Sequence, residues 1–235
     1  MRLCMFHPVD HPLERGWVGR IDGDHVTQLA AQTLQSYFTG GGSAREHAVY
    51  PLAGVRLLAP VLHPPSVRVF ANETSFEFAN PAAILGPNTE VEHRTIDHWL
   101  ALDLWPRVAA VIGAKDEIGG FTIVADWRAP DRSPPKDRDF ALGLGPVVVT
   151  PDEAPAAPQG TVRTLGDVVL DAAFGGFDWA AARDFAAADT TLKPGDIIAG
   201  PAPGVVQGIE PATVVEVEVD GLGALSQSVQ PAVEA

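Results

Sequence analysis

Residues 102–146 contain three segments that indicate the architecture of the chain: LDLWPRVAAVIGA (102–114), GGFTIVADWRAPD (119–131) and KDRDFALGLGP (136–146). Glycines bound the apolar runs 108–112 and 121–124, as expected for short strands that are buried on both faces. Asp126 comes just after the second run, and Lys136 lies in the loop before a Leu-Gly-Pro tripeptide. These segments predict two neighbouring strands with ionisable side chains close to their ends.

Composition excludes several classes of protein. The 235 residues suffice for one sizeable domain, and 46% apolar and 20% charged residues are typical of a globular chain. A net charge of −14 argues against nucleic acid or an anionic membrane surface as a partner. No apolar run approaches the roughly 20 residues of a membrane span, and the single Cys4 excludes an intrachain disulfide. We therefore expect a cytoplasmic protein.

The distribution of turn residues indicates many short strands. We expect a small N-terminal β/α module over residues 1–66, a main domain over residues 67–229 and a loose tail over residues 230–235. Asp22-Gly23-Asp24 predicts a hairpin turn, and residues 30–38 predict a short helix. Asp178 is expected to cap a second helix over residues 179–187. The fold class is therefore mainly β with short helices (α+β).

Several common functional motifs are missing from the sequence. It contains no Gly-x-Ser-x-Gly nucleophile motif, no dinucleotide-binding Gly-x-Gly-x-x-Gly and no P-loop. One cysteine argues against a structural zinc site. His93 and His98 flank Asp97, but two histidines without a third ligand nearby are more typical of surface or hydrogen-bonding residues than of a metal site.

The three segments of residues 102–146 resemble the fumarylacetoacetate hydrolase family. Its usual signature is Asp, an aromatic, Glu, any residue, Glu, Leu-Ala-Val-Val-Ile-Gly, then Gly-Tyr-Thr-Ile-x-Asn-Asp-Val-Ser-Ala-Arg-Asp, then Lys-Ser-Phe-Asp before Leu-Gly-Pro. The matching positions here are Asp103, 109–113, 120–124, Asp126, Asp131, Lys136, Asp139 and 144–146. The resemblance implies a mixed β-roll core of that family's type, a homodimer and a small-molecule substrate or ligand.

The resemblance also implies a metal site, which this sequence does not keep. In the family, the two glutamates and the later aspartate bind magnesium, manganese or calcium, which grips a dicarbonyl substrate. The corresponding residues here are Trp105, Arg107 and Asp126. An indole offers no oxygen and a guanidinium repels a cation, whereas a hard divalent ion takes about six oxygen ligands. We therefore expect no metal cofactor.

The remaining polar residues of the implied pocket are the predicted catalytic groups. Lys136 matches the family lysine that stabilises negative charge on the substrate, and Asp126 is retained. Arg107 either clamps a carboxylate or enolate in place of the metal, or simply pairs with Asp126 in a vacated cavity. The predicted substrate-binding residues are Trp105, Trp127, Arg128, Asp131, Asn72, Glu73 and Phe76.

Family members also carry a lid with a His–Glu pair that activates water. Phe76 occupies the histidine position here and the lid segment is almost absent, while Ala202 replaces a substrate-binding threonine. Glu73 and Glu77 either supply a substitute carboxylate or are solvated loop residues.

Two functions remain open. The first is a divergent enzyme that performs metal-independent lyase, isomerase, cyclase or hydrolase chemistry on a small substrate that contains a carbonyl or carboxylate or is largely apolar. The second is a catalytically silent homologue that binds a ligand or partners an active subunit. An ordinary metal-dependent dicarbonyl hydrolase would need ligands at other positions. A buried pair of Lys136 and Asp126 favours the enzyme, because an unpaired buried charge destabilises a protein.

Overall fold

The computed structural model describes residues 1–13, 15–92 and 101–231. Within these ranges the chain forms eighteen strands and two α-helices, which confirms the mainly β fold class. Their bounds are β1 Arg2–Pro8, β2 Trp17–Asp22, β3 His25–Leu29, α1 Leu34–Thr39, β4 Glu46–Pro51, β5 Val55–Leu58, β6 Val67–Asn72, β7 Ser75–Ala79, β8 Ile84–Leu85, β9 Thr89–Val91, β10 Leu102–Ile112, β11 Ile118–Arg128, β12 Leu142–Val149, β13 Gln159–Thr164, β14 Asp167–Ala173, α2 Trp179–Ala187, β15 Ile197–Ala199, β16 Val206–Ile209, β17 Val214–Val219 and β18 Gly223–Val229.

A thirteen-stranded sheet carries the long strands β10 and β11 near its centre. Its main path runs β4-β3-β2-β1-β12-β11-β10-β15-β6-β7, with β5, β8 and β16 paired beside it. The two apolar runs predicted as strands lie in β10 and β11, which pair antiparallel over their full length. Both predictions are confirmed, although each strand extends several residues beyond its apolar run because the flanking polar residues continue the ladder.

The N-terminal strands are part of this same sheet. Strand β1 pairs antiparallel with β12, so residues 1–66 are joined by hydrogen bonds to the remainder of the chain. The predicted hairpin turn lies between β2 and β3, where Gly23 has a φ of +61° that suits glycine. The predicted domain boundary at residue 66 stays a prediction.

The first helix begins later than the sequence indicated. It starts at Leu34, because the hydroxyl of Thr33 accepts a hydrogen bond from the backbone N–H of Ser36 and caps the helix there. The prediction of a start at residue 30 was wrong. The second helix is confirmed over Trp179–Ala187, where the Asp178 carboxylate accepts from the backbone N–H groups of Ala180 and Ala181.

A five-stranded sheet, ordered β14-β13-β17-β18-β9, packs on the thirteen-stranded sheet. Strands β11 and β12 contact β17 and β18, and the apolar side chains between the sheets include Leu104, Trp127, Val217 and Leu225. This core supports β10 and β11 from one side, so their opposite face is available for a cavity.

No helix in the described part of the chain is long and apolar enough to cross a membrane. The predictions for His93, Asp97 and His98 lie outside the described residues, as does most of the predicted tail.

Candidate functional site

Two adjacent strands present the predicted polar residues on one face of the sheet. Trp105 on β10 lies opposite Asp126 on β11, and Arg107 lies opposite Val124. Side chains alternate between the two faces of a strand, so Trp105, Arg107, Asp126 and Arg128 all point the same way. The three positions that correspond to the family's metal ligands therefore converge.

A cavity of about 350 Å³ lies over this face. Three arginines, Arg107, Arg128 and Arg138, contribute to its wall, together with Glu77 at its rim. The other lining residues are Val69, Phe70, Ala71, Ser75, Phe76, Trp105, Pro201 and Ala202. A larger cavity of about 720 Å³ lies elsewhere, beside Arg15, His63 and Pro194. We place the functional site in the arginine-lined cavity because Trp105 and Arg107, at two of the three positions that the resemblance assigns to metal ligands, line it.

Asp126 is the fully buried anion beneath the cavity. Its Oδ2 accepts one hydrogen bond from Nε of Arg107 and one from Nη2 of Arg128, each at 3.1 Å. Arg107 also donates from Nη1 to the carbonyl of Gly200 at 2.8 Å. Burial lowers the pKa of the Arg107 guanidinium from its ordinary value, and the negative charge of Asp126 opposes that shift. The three side chains form a buried charge network with two cations and one anion.

Trp105 holds both guanidiniums against its ring. The Arg128 guanidinium carbon lies 4.5 Å from the ring centroid and that of Arg107 lies 5.7 Å away. The negative face of an indole attracts a cation at such distances. Trp105, at a position that the resemblance assigns to a metal ligand, therefore holds two arginine side chains.

Arg138 is a cavity residue that the sequence reasoning missed. It lies in the loop between β11 and β12, is 7% exposed, and donates to Glu77 at 2.9 Å. The neighbouring Asp137 is also buried and lies 3.4 Å from Arg128. The Lys-Asp-Arg-Asp sequence of 136–139 was the available signal, since three charged residues follow the family's lysine position, but a loop has no periodicity to show which of them points inward.

Besides Asp126, which lies beneath the cavity, five predicted site residues lie outside the cavity wall, and Trp127 and Lys136 are the first of them. Trp127 is fully buried in the core between the sheets, where its indole N–H donates to Oε1 of Gln227 at 2.8 Å. Its prediction as a pocket residue was wrong, because Trp127 points to the face opposite Asp126. Lys136 is 71% exposed and forms an ion pair with Asp139, which lowers the pKa of that carboxyl. The expected buried pair of Lys136 and Asp126 is therefore also wrong.

Of the other predicted residues, some line the cavity and some do not. Phe76 lines the cavity as expected. Asn72 is exposed and its Oδ1 accepts from the backbone N–H of Thr74, while Asp131 is exposed in the loop after β11. Glu73 accepts from the backbone N–H of Asp178 at 3.3 Å. These three residues are not part of the cavity wall. Glu77, which with Glu73 was considered as a substitute carboxylate, does line the cavity.

The residues at this site do not fit a divalent metal ion. Guanidinium N–H groups bond to Oδ2 of Asp126, so that one buried arginine and one half-buried arginine flank that carboxylate. In the described part of the chain, no three His, Cys, Asp or Glu side chains are grouped so that they could hold a metal. A hard cation would meet two positive charges and one carboxylate here, which is the reverse of the donor set that it requires.

Comparison with known proteins gives the family. The sequence model described as fumarylacetoacetate (FAA) hydrolase C-terminal matches residues 73–230. The chain belongs to the fumarylacetoacetate hydrolase family. Protein Rv2993c of Mycobacterium tuberculosis is 32% identical to it in an alignment 214 residues long, which covers 77% of this chain and 80% of that protein.

Solved structures of fumarylacetoacetate hydrolase family members share the fold over almost the entire chain. The 5-carboxymethyl-2-hydroxymuconate delta-isomerase of Mycobacterium smegmatis has a TM-score of 0.80 and 25% identity, covering 99% of this chain and all of that one. The maleylpyruvate hydrolase of Sphingobium sp. SYK-6, solved in complex with manganese(II) ion and pyruvate, has a TM-score of 0.80 and 22% identity with the same coverage. The neighbours are thus hydrolases and isomerases.

Proposed function

We propose that this protein is an enzyme of the fumarylacetoacetate hydrolase family in which arginine side chains replace the divalent metal ion. Its substrate is a small molecule with a carboxylate or an enolisable carbonyl group. The observation that carries the proposal is the position of Arg107, which stands where the family has a metal ligand, donates to the retained Asp126 and lines the cavity. The cationic group is thus part of a cavity wall and available to a ligand.

The chemical role of the arginines follows from their charge and shape. A guanidinium carries five N–H donors in a planar fork that matches a carboxylate or an enolate. Bonds from Arg107 to Asp126 and to the Gly200 carbonyl hold its plane in place before a ligand arrives. A preorganised cation of this kind stabilises negative charge that develops on a substrate oxygen.

Glu77 is the carboxylate placed to move a proton. It lies on the cavity wall, 68% exposed, beside Arg138. Proton removal from a carbon next to a carbonyl, followed by return at another carbon or loss of a leaving group, is isomerase or lyase chemistry. That chemistry, or a cyclisation, suits this cavity better than hydrolysis, since Phe76 stands where the family has its water-activating histidine.

Metal analysis is the first test. The purified protein is assayed for bound ions, and its melting temperature is followed with magnesium, manganese and calcium up to millimolar concentration, with a chelator as control. A metal that binds the folded state specifically raises the midpoint by mass action. We expect no stoichiometric ion and no saturable shift. A bound ion with such a shift would instead favour an ordinary metal-dependent dicarbonyl hydrolase with ligands at other positions.

Proton exchange is the second test. Exchange of α-protons of simple 2-oxo acids for deuterium is followed by NMR in heavy water. We expect Arg107→Gln to slow exchange by about 10²–10³-fold and Glu77→Gln by about 10²–10⁴-fold. The exposed pair Arg163 and Glu218, on the other sheet, provides the matched controls Arg163→Gln and Glu218→Gln, which should leave exchange unchanged.

A silent homologue is the second proposal, because the carboxylates of the site are engaged with cations. Asp126 accepts from two arginines, and Glu77 pairs with Arg138. If carboxylates bind in an Arg107-dependent manner but no 2-oxo acid exchanges protons, the protein is a ligand-binding member of the family or the partner of an active subunit. We also propose a cytoplasmic homodimer, which light scattering and fractionation would test.

A further inference from the structure

Two further cavities have walls of apolar side chains, and the smaller of them adjoins the arginine-lined cavity. The larger has a volume of about 220 Å³ and the smaller about 90 Å³, and both are bordered by Val108, Phe174, Phe177 and Trp179. All of the other lining residues are glycine, alanine, proline, phenylalanine or leucine. Phe177 and Trp179 meet edge to face with ring centroids 4.7 Å apart, so the walls have defined aromatic geometry.

Gly200 forms the junction between the charged cavity and the apolar ones. Its carbonyl accepts from Arg107, and its backbone N–H donates to the carbonyl of Val108. On its other side, a Cβ at position 200 would come within 2.9 Å of the Trp179 ring and 3.3 Å of the Phe177 ring. The guanidinium and the apolar pocket are therefore one residue apart, and glycine permits that close approach.

Pro201 and Ala202 continue this junction. Both residues line the arginine cavity and the smaller apolar cavity. In the family, the position of Ala202 carries a threonine, so this chain has lost a hydroxyl at the boundary and presents a methyl group there. A ligand that passes over this boundary meets no polar side chain on the apolar side.

We propose that the substrate is an amphiphilic carboxylate, whose alkyl or aryl group occupies the apolar cavities beside Phe174 and Trp179 while its carboxylate binds Arg107 and Arg128. This inference rests on the proposed function, since it uses the same anion site. It adds the substrate class, which is an acid with an apolar chain in place of a second charged group.

The expected energetics follow from burial of the chain. Each methylene group moved from water into an apolar cavity tightens binding by about fourfold. The gain should continue while added carbons enter the cavities and stop once they are filled. An aryl group of similar volume should bind comparably, because Phe177 and Trp179 line both cavities with aromatic rings.

The test is calorimetric binding of a homologous series of straight-chain monocarboxylates from acetate to octanoate, with the corresponding alcohols as the uncharged series. The wild-type affinity should rise by about fourfold per carbon over part of the series. Ala202→Leu, which fills the boundary and also narrows the arginine cavity, should abolish the dependence on length. Ala156→Leu, which fills part of the larger cavity and does not line the smaller one, should stop the gain only for the longer acids. Arg107→Gln should weaken every acid and leave the alcohols unchanged.

The outcomes separate this inference from the function on which it rests. Acids that bind with equal affinity at every length would overturn the apolar subsite and leave the arginine anion site in place. Length dependence that survives Ala202→Leu would place the chain elsewhere and also overturn it. Binding of alcohols as tight as that of acids would overturn the anion site instead. If a second copy of the chain covers this face, length dependence will be absent and Trp179→Ala will dissociate the dimer, which refutes the subsite.

Discussion

Asp126→Asn removes the one negative charge on which two buried guanidiniums converge, without changing the size of the side chain. The side chains of Asp126, Arg107 and Arg128 are 1%, 5% and 17% exposed, so water from the cavity replaces the lost anion only in part. Arg128 keeps Asp137 at 3.4 Å, but Arg107 loses its carboxylate. Removal of one partner of a buried pair costs about 3–5 kcal/mol. For a chain of this length that lowers the melting temperature by about 6–20 °C.

Arg107→Met is the complementary change. It keeps a long apolar stem in the cavity wall and removes the cation, while Asp126 retains its bond from Arg128. The Gly200 carbonyl loses a donor, so we expect a cost of about 1–3 kcal/mol. The double variant should be less destabilised than the sum of the two single variants, with a coupling energy of about 1–3 kcal/mol. The reason is that it has no guanidinium at position 107 that would be left without an anion.

Urea unfolding, followed by tryptophan fluorescence, gives the free energies of unfolding of the wild type, the two single variants and the double variant, which together form a double-mutant cycle. The exposed pair of Arg163 and Glu218 is the matched control, and its cycle should give less than about 1 kcal/mol. A coupling energy at Arg107 and Asp126 no larger than that of the control would refute the buried charge network, and with it the replacement of the metal by arginine.

Three further predictions test the surrounding structure. Trp105→Glu combined with Arg107→Glu restores the glutamates of the family and should create a manganese site. A hundredfold excess of manganese over Kd should then raise the melting temperature by about 5–10 °C, whereas the wild type should show no shift. A folded double variant without a shift would contradict the assigned positions. Burial raises the pKa of the Cys4 thiol from 9.0 to about 12, so the unfolded state loses this proton first as pH rises. The free energy of unfolding should therefore fall between these pH values by up to about 1.4 kcal/mol per pH unit relative to Cys4→Ala. Equal pH dependence of the unfolding free energy in urea titrations of both proteins would contradict this. Gln227→Leu should cost about 1–3 kcal/mol, because the buried indole N–H of Trp127 loses its acceptor, and Trp127→Phe in that background should recover part of the loss; an unchanged melting midpoint would contradict this.

The strands of the site illustrate what local pattern can predict. The runs 108–112 and 121–124 gave β10 and β11, because apolar residues bounded by glycine leave few alternatives in a chain of this kind. The same two-residue period would also have placed Trp127 on the other face of the strand from Asp126, in the core. That error came from adjacency in sequence, which on a strand means opposite faces.

For the loops of the site, local pattern did not predict which side chains enter the cavity. Lys136 and Arg138 lie two residues apart in the same loop, yet Arg138 enters the cavity and Lys136 remains 71% exposed. No periodicity applies in such a segment, so the choice depends on which side chain finds a partner across the chain. Arg138 finds Glu77 on β7, more than sixty positions earlier.

Residue identity at fixed local spacing was enough to predict the family and the mainly β architecture, and it placed Trp105 and Arg107 at the positions that the resemblance assigns to metal ligands. The folded structure was needed to show that Arg107, Arg128 and Arg138 line one cavity, and that Gly200 brings an aromatic pocket within a residue of them. Those relations join segments up to about a hundred positions apart. Packing of the two sheets and the loops between them sets such distances, and no short-range pattern in the chain records them.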